Sequence, residues 1–240
     1  MNLNNSNIRA PKPGLNITNI TGLNRFYAKV YGIFAAGLGL SAVSAYLGSQ
    51  VFQAQVISFI QRFPLGIWGL WILQLVLVAV MGRKATKNPA LTMAGFVVYS
   101  LLTGLTLSVT LMLYSGATVV QAFLTATVTF AGAALVGMFI KRDLSMVGRI
   151  GMILVWGLII TMLLNVFFFK SSGLDLVVSF IGVLVFTGLT AYDNQMIKNY
   201  YGQFQNVENT GIATFVALQL YLDFINIFLF LLRIFGYDDN

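Results

Sequence analysis

Two apolar stretches late in the chain decide the fold: LVVSFIGVLVFTGLTAYDNQMIK (Leu176–Lys198) and ATFVALQLYLDFINIFLFLLRIF (Ala213–Phe235). Each is long enough to cross a bilayer as a helix. Each also carries one carboxylate inside its apolar run, Asp193 in the first and Asp223 in the second. An Asp near the middle of a membrane helix costs about 2.5–3.5 kcal/mol on insertion scales, so by default it marks a functional site. The two aspartates are therefore the candidate site, and the rest of the chain is expected to house them.

The composition places this site in an integral membrane protein. Of the 240 residues, 58% are hydrophobic and 9% are charged, whereas soluble domains contain about 25% charged residues. The net charge of +7 resides mostly in Lys and Arg between apolar runs, where such residues set membrane topology, so no nucleic-acid partner is expected. The chain has no Cys and no His, which excludes thiol chemistry and removes the commonest metal ligand.

Seven apolar runs follow a polar, Asn-rich tail. They lie near residues 26–48, 64–82, 90–114, 117–140, 150–169, 176–197 and 213–235. Most have roughly the 20 residues needed to cross a bilayer as a helix. The fold class predicted is an all-α membrane protein, with residues 25–240 forming one seven-transmembrane helix bundle. Residues 1–24 are predicted to be a disordered cytoplasmic tail without a cleavable signal peptide.

The basic residues predict the orientation of these spans. If the tail is cytoplasmic, 11 of the 14 Lys and Arg residues lie on the cytoplasmic side, and only Arg62, Lys170 and Arg233 lie on the other. This asymmetry follows the positive-inside rule and predicts a cytoplasmic N-terminus and an external C-terminus. A re-entrant seventh segment, which would place the C-terminus inside, is the alternative.

Small residues recur at every fourth position on three of the predicted helices. They are Gly37, Ser41 and Ala45; Ser100, Gly104 and Ser108; and Thr125, Thr129, Ala133 and Gly137. Such stripes let helix backbones approach closely in lipid. They predict tight helix–helix contacts rather than a binding site.

The spacing of the two aspartates predicts that their side chains meet. Counted from a loop near residues 201–211, Asp193 and Asp223 lie at ~12 and ~18 Å, a similar depth within the error of helix ends. Gln219 and Asn226 extend a polar stripe around Asp223, and Thr190 does so beside Asp193. Both stripes are expected to face the bundle interior, because lipid offers their polar atoms no partner.

A close pair of carboxyl groups in low dielectric cannot readily ionise together, so the two groups would share a proton and respond to pH. Arg83 or Lys84 is the candidate partner for the charged form. Alternatively, Asp193, Asp223 and Asn226 would hold Ca²⁺ weakly and transiently, because two carboxylates fall short of the 6–8 oxygen ligands of a tight site.

Two other interpretations of the pair stay open. Both aspartates would serve helix packing alone if they hydrogen-bond to neighbouring Thr, Tyr or backbone groups. An aspartyl intramembrane protease also uses two membrane aspartates, but the surrounding sequences AYDN and YLDF contain no GxGD-like motif. With no His, Cys, phosphate-binding loop or cofactor motif, no enzyme activity and no cofactor are expected.

The same residues carry a family resemblance. FTGLTAYDNQMIK (Phe186–Lys198) and ALQLYLDFINIFLFLLRIFG (Ala217–Gly236) resemble the two C-terminal signatures of the Bax inhibitor-1 family of membrane proteins, in a bacterial form. The sequences KRDLSMVGRIGMIL (141–154), YSLLTGLTLS (99–108) and KVYGIFAAGLGLSA (29–42) resemble other parts of that family. The resemblance covers about residues 25–236.

This resemblance implies a bundle with the seventh helix at its centre and a pH-sensitive Ca²⁺ leak across the bacterial inner membrane. The gating di-aspartyl pair maps onto Asp193 and Asp223, and its basic partner onto Arg83, with Lys84 as the next match. Some members carry an acidic residue where this chain has Gln74, which removes one cation ligand. The family also suggests a non-conducting alternative, in which a monomer or weak oligomer binds another membrane protein such as an AAA protease complex.

Overall fold

The computed structural model describes residues 20–63, 65–204 and 210–237, and all regular structure within these ranges is helical. The helices are α1 (Ile20–Tyr46), α2 (Gln53–Arg62), α3 (Gly66–Lys84), α4 (Pro89–Leu111), α5 (Gly116–Phe139), α6 (Ser145–Leu164), α7 (Ser172–Gln203) and α8 (Thr210–Phe235). Short π-helical turns, Leu47–Val51 and Asn165–Phe169, extend α1 and α6.

Six of these helices are long and apolar enough to cross a membrane: α1, α4, α5, α6, α7 and α8, with α1 and α6 counted together with their π-helical turns. The prediction of an all-helical, multi-pass membrane protein is confirmed. Helix α3, which covers the predicted span 64–82, is not among the six, so the seven-span arrangement stays a prediction.

The first helix begins earlier than the sequence suggested. Helix α1 starts at Ile20, so residues 20–24 are its first turn rather than the end of the tail. Only the hydrocarbon-crossing part of a helix must be apolar, and no proline lies between Ile20 and Arg25 to interrupt it. The remainder of the predicted tail, residues 1–19, lies outside the described residues.

Helix α2 was not expected, because no element was predicted between residues 48 and 64. Its sequence QAQVISFIQR is amphipathic, and none of its ten residues is buried. A short helix of this type gives no span-length apolar run, although it suits the surface of a bilayer.

Contacts between the helix ends define two faces of the bundle. On the first face, Lys29 Nζ of α1 donates to Thr210 Oγ1 of α8 at 2.7 Å, and Gly211 lies against the Ala85 carbonyl oxygen after α3. On the second face, Gly236 after α8 lies against Tyr114 after α4. Helix α3 therefore runs from the second face, where α2 ends, to the first face, where α4 begins.

The predicted stripes of small residues are packing faces, as expected. Ser41 Oγ of α1 lies 2.8 Å from the Ser100 carbonyl oxygen of α4. A Cβ atom at Gly104 would be 2.4 Å from the Ser41 carbonyl oxygen. On α5, Gly137 approaches α7 so closely that a Cβ atom would lie 2.0 Å from the Ala191 carbonyl oxygen. Glycine at these positions is what allows the backbones to touch.

The buried core is concentrated along α8. In its most apolar 18-residue window 72% of the residues are buried, against 11–44% in the other five candidate spans. Helix α8 packs against α1, α4, α5 and α7. Its buried Phe, Leu and Ile residues are spread around the helix rather than confined to one stripe.

Candidate functional site

Asp193 and Asp223 lie on neighbouring helices, α7 and α8, and both are buried, with exposed fractions of 9% and 4%. Their carboxyl groups are close enough to interact electrostatically. The Thr190 hydroxyl, one turn before Asp193, is within hydrogen-bonding reach of the Asp223 carboxyl group and lies 2.8 Å from the Phe186 carbonyl oxygen. The structure therefore brings the two aspartates together, with Thr190 beside them.

One oxygen of this pair is unsatisfied. Asp223 Oδ2 is buried and, within the described ranges, has no hydrogen-bond partner. Buried polar atoms almost always have a partner, and an exception needs an explanation. A proton would remove the charge from this carboxyl group, whereas a water molecule or a cation would give the oxygen a partner.

Two tyrosines of α1 contact Asn194, the residue that follows Asp193 on α7. The Tyr31 hydroxyl donates to Asn194 Oδ1, and the Tyr27 hydroxyl lies 3.4 Å from the Asn194 carbonyl oxygen. Asn194 is fully buried, and its Nδ2 donates to the Thr190 carbonyl oxygen at 2.8 Å. Sequence reasoning missed these residues, although two tyrosines one helical turn apart at the start of an apolar run were a usable signal.

Removing the hydrogen bond between Tyr31 and Asn194 is expected to lower the free energy of unfolding measurably. Replacing Tyr31 with Phe leaves the Asn194 side-chain oxygen buried without its donor, which should cost about 1–3 kcal/mol. The measurement is thermal unfolding of the purified protein in detergent. Tyr46→Phe is the matched control, because Tyr46 is 63% exposed. Equal melting temperatures for the two variants would contradict the prediction.

The structure places the other predicted site residues on α8 and α3. Asn226 is half-buried, and its Nδ2 donates to the Leu222 carbonyl oxygen within its own helix at 2.7 Å. Arg83 and Lys84 are exposed in the last turn of α3, and neither is among the groups that act electrostatically on Asp193 or Asp223. Gln74, on α3, has a buried Nε2 atom without a hydrogen-bond partner in the part of the chain that is described.

Another carboxylate, Asp143, lies near the first face between α5 and α6. Its Oδ1 accepts hydrogen bonds from the Ser145 hydroxyl at 2.6 Å and the Ser145 backbone N–H at 2.9 Å. These bonds hold the pKa of Asp143 below its usual range. Asp143 therefore stays ionised near neutral pH and changes charge only in strong acid, so it is unsuited to sensing cytoplasmic pH.

Tight metal binding has little support in the described ranges. They contain no group of three or more Asp, Glu, His or Cys residues placed to hold a metal ion. Asp193 and Asp223 together supply two carboxylates, whereas Ca²⁺ sites use about 6–8 oxygen ligands. The pair suits brief contact with a cation more than storage of one.

Comparison with known proteins places the chain in a family. The family model described as "Inhibitor of apoptosis-promoting Bax1" matches residues 23–240. An uncharacterized protein of Lactococcus lactis, YrjE, is 41% identical over 215 residues, covering 90% of this chain and 92% of the relative. An uncharacterized protein of Deinococcus radiodurans is 45% identical over 213 residues, covering 87% and 89%. The inner membrane protein YbhL of Escherichia coli is 40% identical over 219 residues, covering 90% and 92%. The chain belongs to the Bax inhibitor-1 family of membrane proteins.

Proposed function

We propose that this protein is a pH-sensitive Ca²⁺ leak channel of a bacterial inner membrane, gated by Asp193 and Asp223. The observation that carries the proposal is the buried carboxyl pair on the contact between α7 and α8, with one oxygen of Asp223 unsatisfied. Buried carboxylates in a membrane bundle are costly and mark ion or proton pathways.

The proposed gate works through protonation. When both carboxyl groups are ionised they repel each other strongly, and a shared proton removes most of that repulsion. As pH falls the pair takes up this proton, and as pH rises it loses it. The change in charge would alter the packing of α7 against α8, the two helices that carry the pair.

Arg83 is proposed as a partner for the charged form of the pair, with Lys84 as its substitute. Gly82 is in contact with Phe215, since a Cβ atom at Gly82 would lie 3.2 Å from the Phe215 ring. Phe215 is eight residues, or about 12 Å, before Asp223 along α8. Arg83 would have to turn inward from its exposed position to reach the pair.

We propose a seven-span arrangement around α8 for the bundle. Helix α3 connects the two faces, and its 19 residues reach about 28 Å at 1.5 Å per residue, close to the ~30 Å of the hydrocarbon core. The first face carries most of the basic residues and would be cytoplasmic. The N-terminus is then inside and the C-terminus outside.

Calcium is proposed as the permeant ion and not as a resident cofactor. The two aspartates would contact it in passage, with Asn226, one turn further along α8, contributing an oxygen on the pathway. The proposal includes no catalytic activity, no cofactor and no nucleic-acid partner. Its partners are the lipid bilayer and Ca²⁺, and its assembly state is a monomer or a weak oligomer.

The test is Ca²⁺ uptake into liposomes that contain the purified protein. Uptake should exceed that of protein-free liposomes and should change across a series from about pH 5 to pH 8, where a proton shared by a perturbed carboxyl pair would titrate. Uptake equal to that of empty liposomes at every pH would reject conduction. The family's non-conducting alternative would then be tested by whether a membrane protease complex co-purifies with the protein.

A further inference from the structure

A cavity of about 510 Å³ opens near the second face, between α2, α3, α4 and the end of α8. Pockets for amphiphilic small molecules commonly have volumes of about 300–1,000 Å³ and mostly apolar walls. The walls here are mainly Leu, Ile, Val and aromatic side chains, including Leu70 and Trp71 of α3. Four polar side chains also line the cavity: Gln55, Thr106, Thr110 and Arg233.

Arg233 is the one charged side chain among the residues that line this cavity. It is half-buried in the last turn of α8. Its Nη1 atom lies 3.9 Å from Met162 Sδ, and its guanidinium carbon lies 5.8 Å from the centre of the Phe230 ring. Neither contact supplies a negative charge, although charged residues inside membrane proteins are usually paired. Within residues 20–63, 65–204 and 210–237, no carboxylate pairs with it.

Helix α2 lines one side of the cavity and has the character of a helix that lies along the bilayer surface. None of its residues is buried, and Phe59 is 45% exposed. Trp68 and Trp71, whose ring centres are 5.4 Å apart, begin α3 beside it. Tryptophan is enriched at the membrane–water boundary, and amphipathic helices lie along that boundary. The mouth of the cavity is therefore placed where lipid headgroups are found.

We propose that this cavity binds an anionic phospholipid, with the phosphate on Arg233 and part of an acyl chain against the apolar walls. Arginine binds phosphate through paired, charge-assisted hydrogen bonds. Among the described residues no Asp or Glu lines the cavity, so they offer the choline group of a zwitterionic lipid no counter-charge there. Phosphatidylglycerol supplies the phosphate that Arg233 would bind, and its headgroup carries no positive charge that would need a counter-charge. The proposal is independent of ion conduction.

The test uses Trp71 as a reporter in a chain with Trp68→Phe and Trp156→Phe, which leaves Trp71 as its single tryptophan. Fluorescence is measured in liposomes in which a small fraction of phosphatidylglycerol or of phosphatidylcholine carries bromine atoms on its chains. Brominated phosphatidylglycerol should quench Trp71 more strongly than brominated phosphatidylcholine. Arg233→Gln should lower the relative affinity for phosphatidylglycerol about tenfold, as expected for one lost hydrogen-bonded charge pair.

Two control variants make the outcome decisive. Arg62→Gln removes a second-face charge that does not line the cavity, and it should leave the preference unchanged. Val109→Phe enlarges a cavity-lining side chain without a charge change and without adding a second tryptophan, so it should also lower phosphatidylglycerol binding in the same quenching assay. Arg233→Lys keeps the charge and should retain part of the preference for phosphatidylglycerol. It serves as the test variant if Arg233→Gln folds poorly. Equal quenching by both lipids in the parent chain, or an equal loss from Arg62→Gln and Arg233→Gln, would overturn the proposal.

Discussion

Replacing Gly137 with Ala is expected to destabilise the bundle strongly. A Cβ atom there would lie 2.0 Å from the Ala191 carbonyl oxygen and 2.9 Å from its Cα atom. These are backbone atoms, so α5 and α7 would have to move apart as units. Overpacking of this kind costs typically 1–3 kcal/mol and occasionally more, and the upper end of about 3 kcal/mol is expected here. For a chain of this size, that corresponds to a fall of roughly 6–12 °C in melting temperature.

Gly132→Ala is the matched control on the same helix. A Cβ atom at Gly132 would meet nothing within 4 Å. Because Ala favours a helix interior over Gly by about 1 kcal/mol, this variant should be neutral or slightly stabilising. Thermal unfolding in detergent compares the two, and a melting temperature for Gly137→Ala at or above that of Gly132→Ala would refute the close contact.

The second large effect is expected from Asp193→Asn and Asp223→Asn. Asparagine keeps nearly the size of the side chain but cannot ionise, so each variant loses the proton shared between two carboxyl groups and leaves one carboxyl without the repulsion of its neighbour. If the pair is the sensor, the pH dependence of Ca²⁺ uptake should flatten in both variants. For one shared proton, the ratio of the protonated to the deprotonated wild-type pair changes about tenfold per pH unit, and the protonated fraction changes most steeply near the midpoint.

Asp143→Asn provides the control for this experiment. Asp143 is exposed, and its pKa lies below the usual carboxyl range because Ser145 donates two hydrogen bonds to it. It keeps one charge throughout the neutral range, so its replacement should leave the shape of the pH profile intact. A profile that survives Asp193→Asn and Asp223→Asn, or that is lost in Asp143→Asn, would count against the pair as sensor.

How much of this could be predicted from sequence depends on how local each signal is. The membrane spans and the two carboxylates are visible in the sequence because an apolar run, and a carboxylate within it, can be recognised from one continuous segment. The contact of Asp193 with Asp223 was predictable because a short connection joins their helices. Helix α2 was missed because its ten residues are amphipathic and too short to give a span-length run.

The remaining misses concern contacts that span the whole chain. Tyr31 and Asn194 are separated by 163 positions, and nothing near either residue identifies the other. Arg83 was chosen as partner of the pair from its charge and from the family resemblance. Neither says which way the side chain points, and Arg83 is exposed in the last turn of α3, so its pairing stays a prediction.

The burial of α8 has a consequence for how the protein is made. Helices leave the ribosome in chain order, and N-terminal parts fold first during synthesis. The most buried of the described spans is therefore the last of them to be delivered to the membrane. Until Thr210–Phe235 arrives, α1, α4, α5 and α7 lack the helix against which they pack, and Asp193 lacks the neighbour with which it interacts in the finished bundle. A chain that ends before this helix would leave Asp193 without α8 beside it, and a carboxylate left facing lipid is costly.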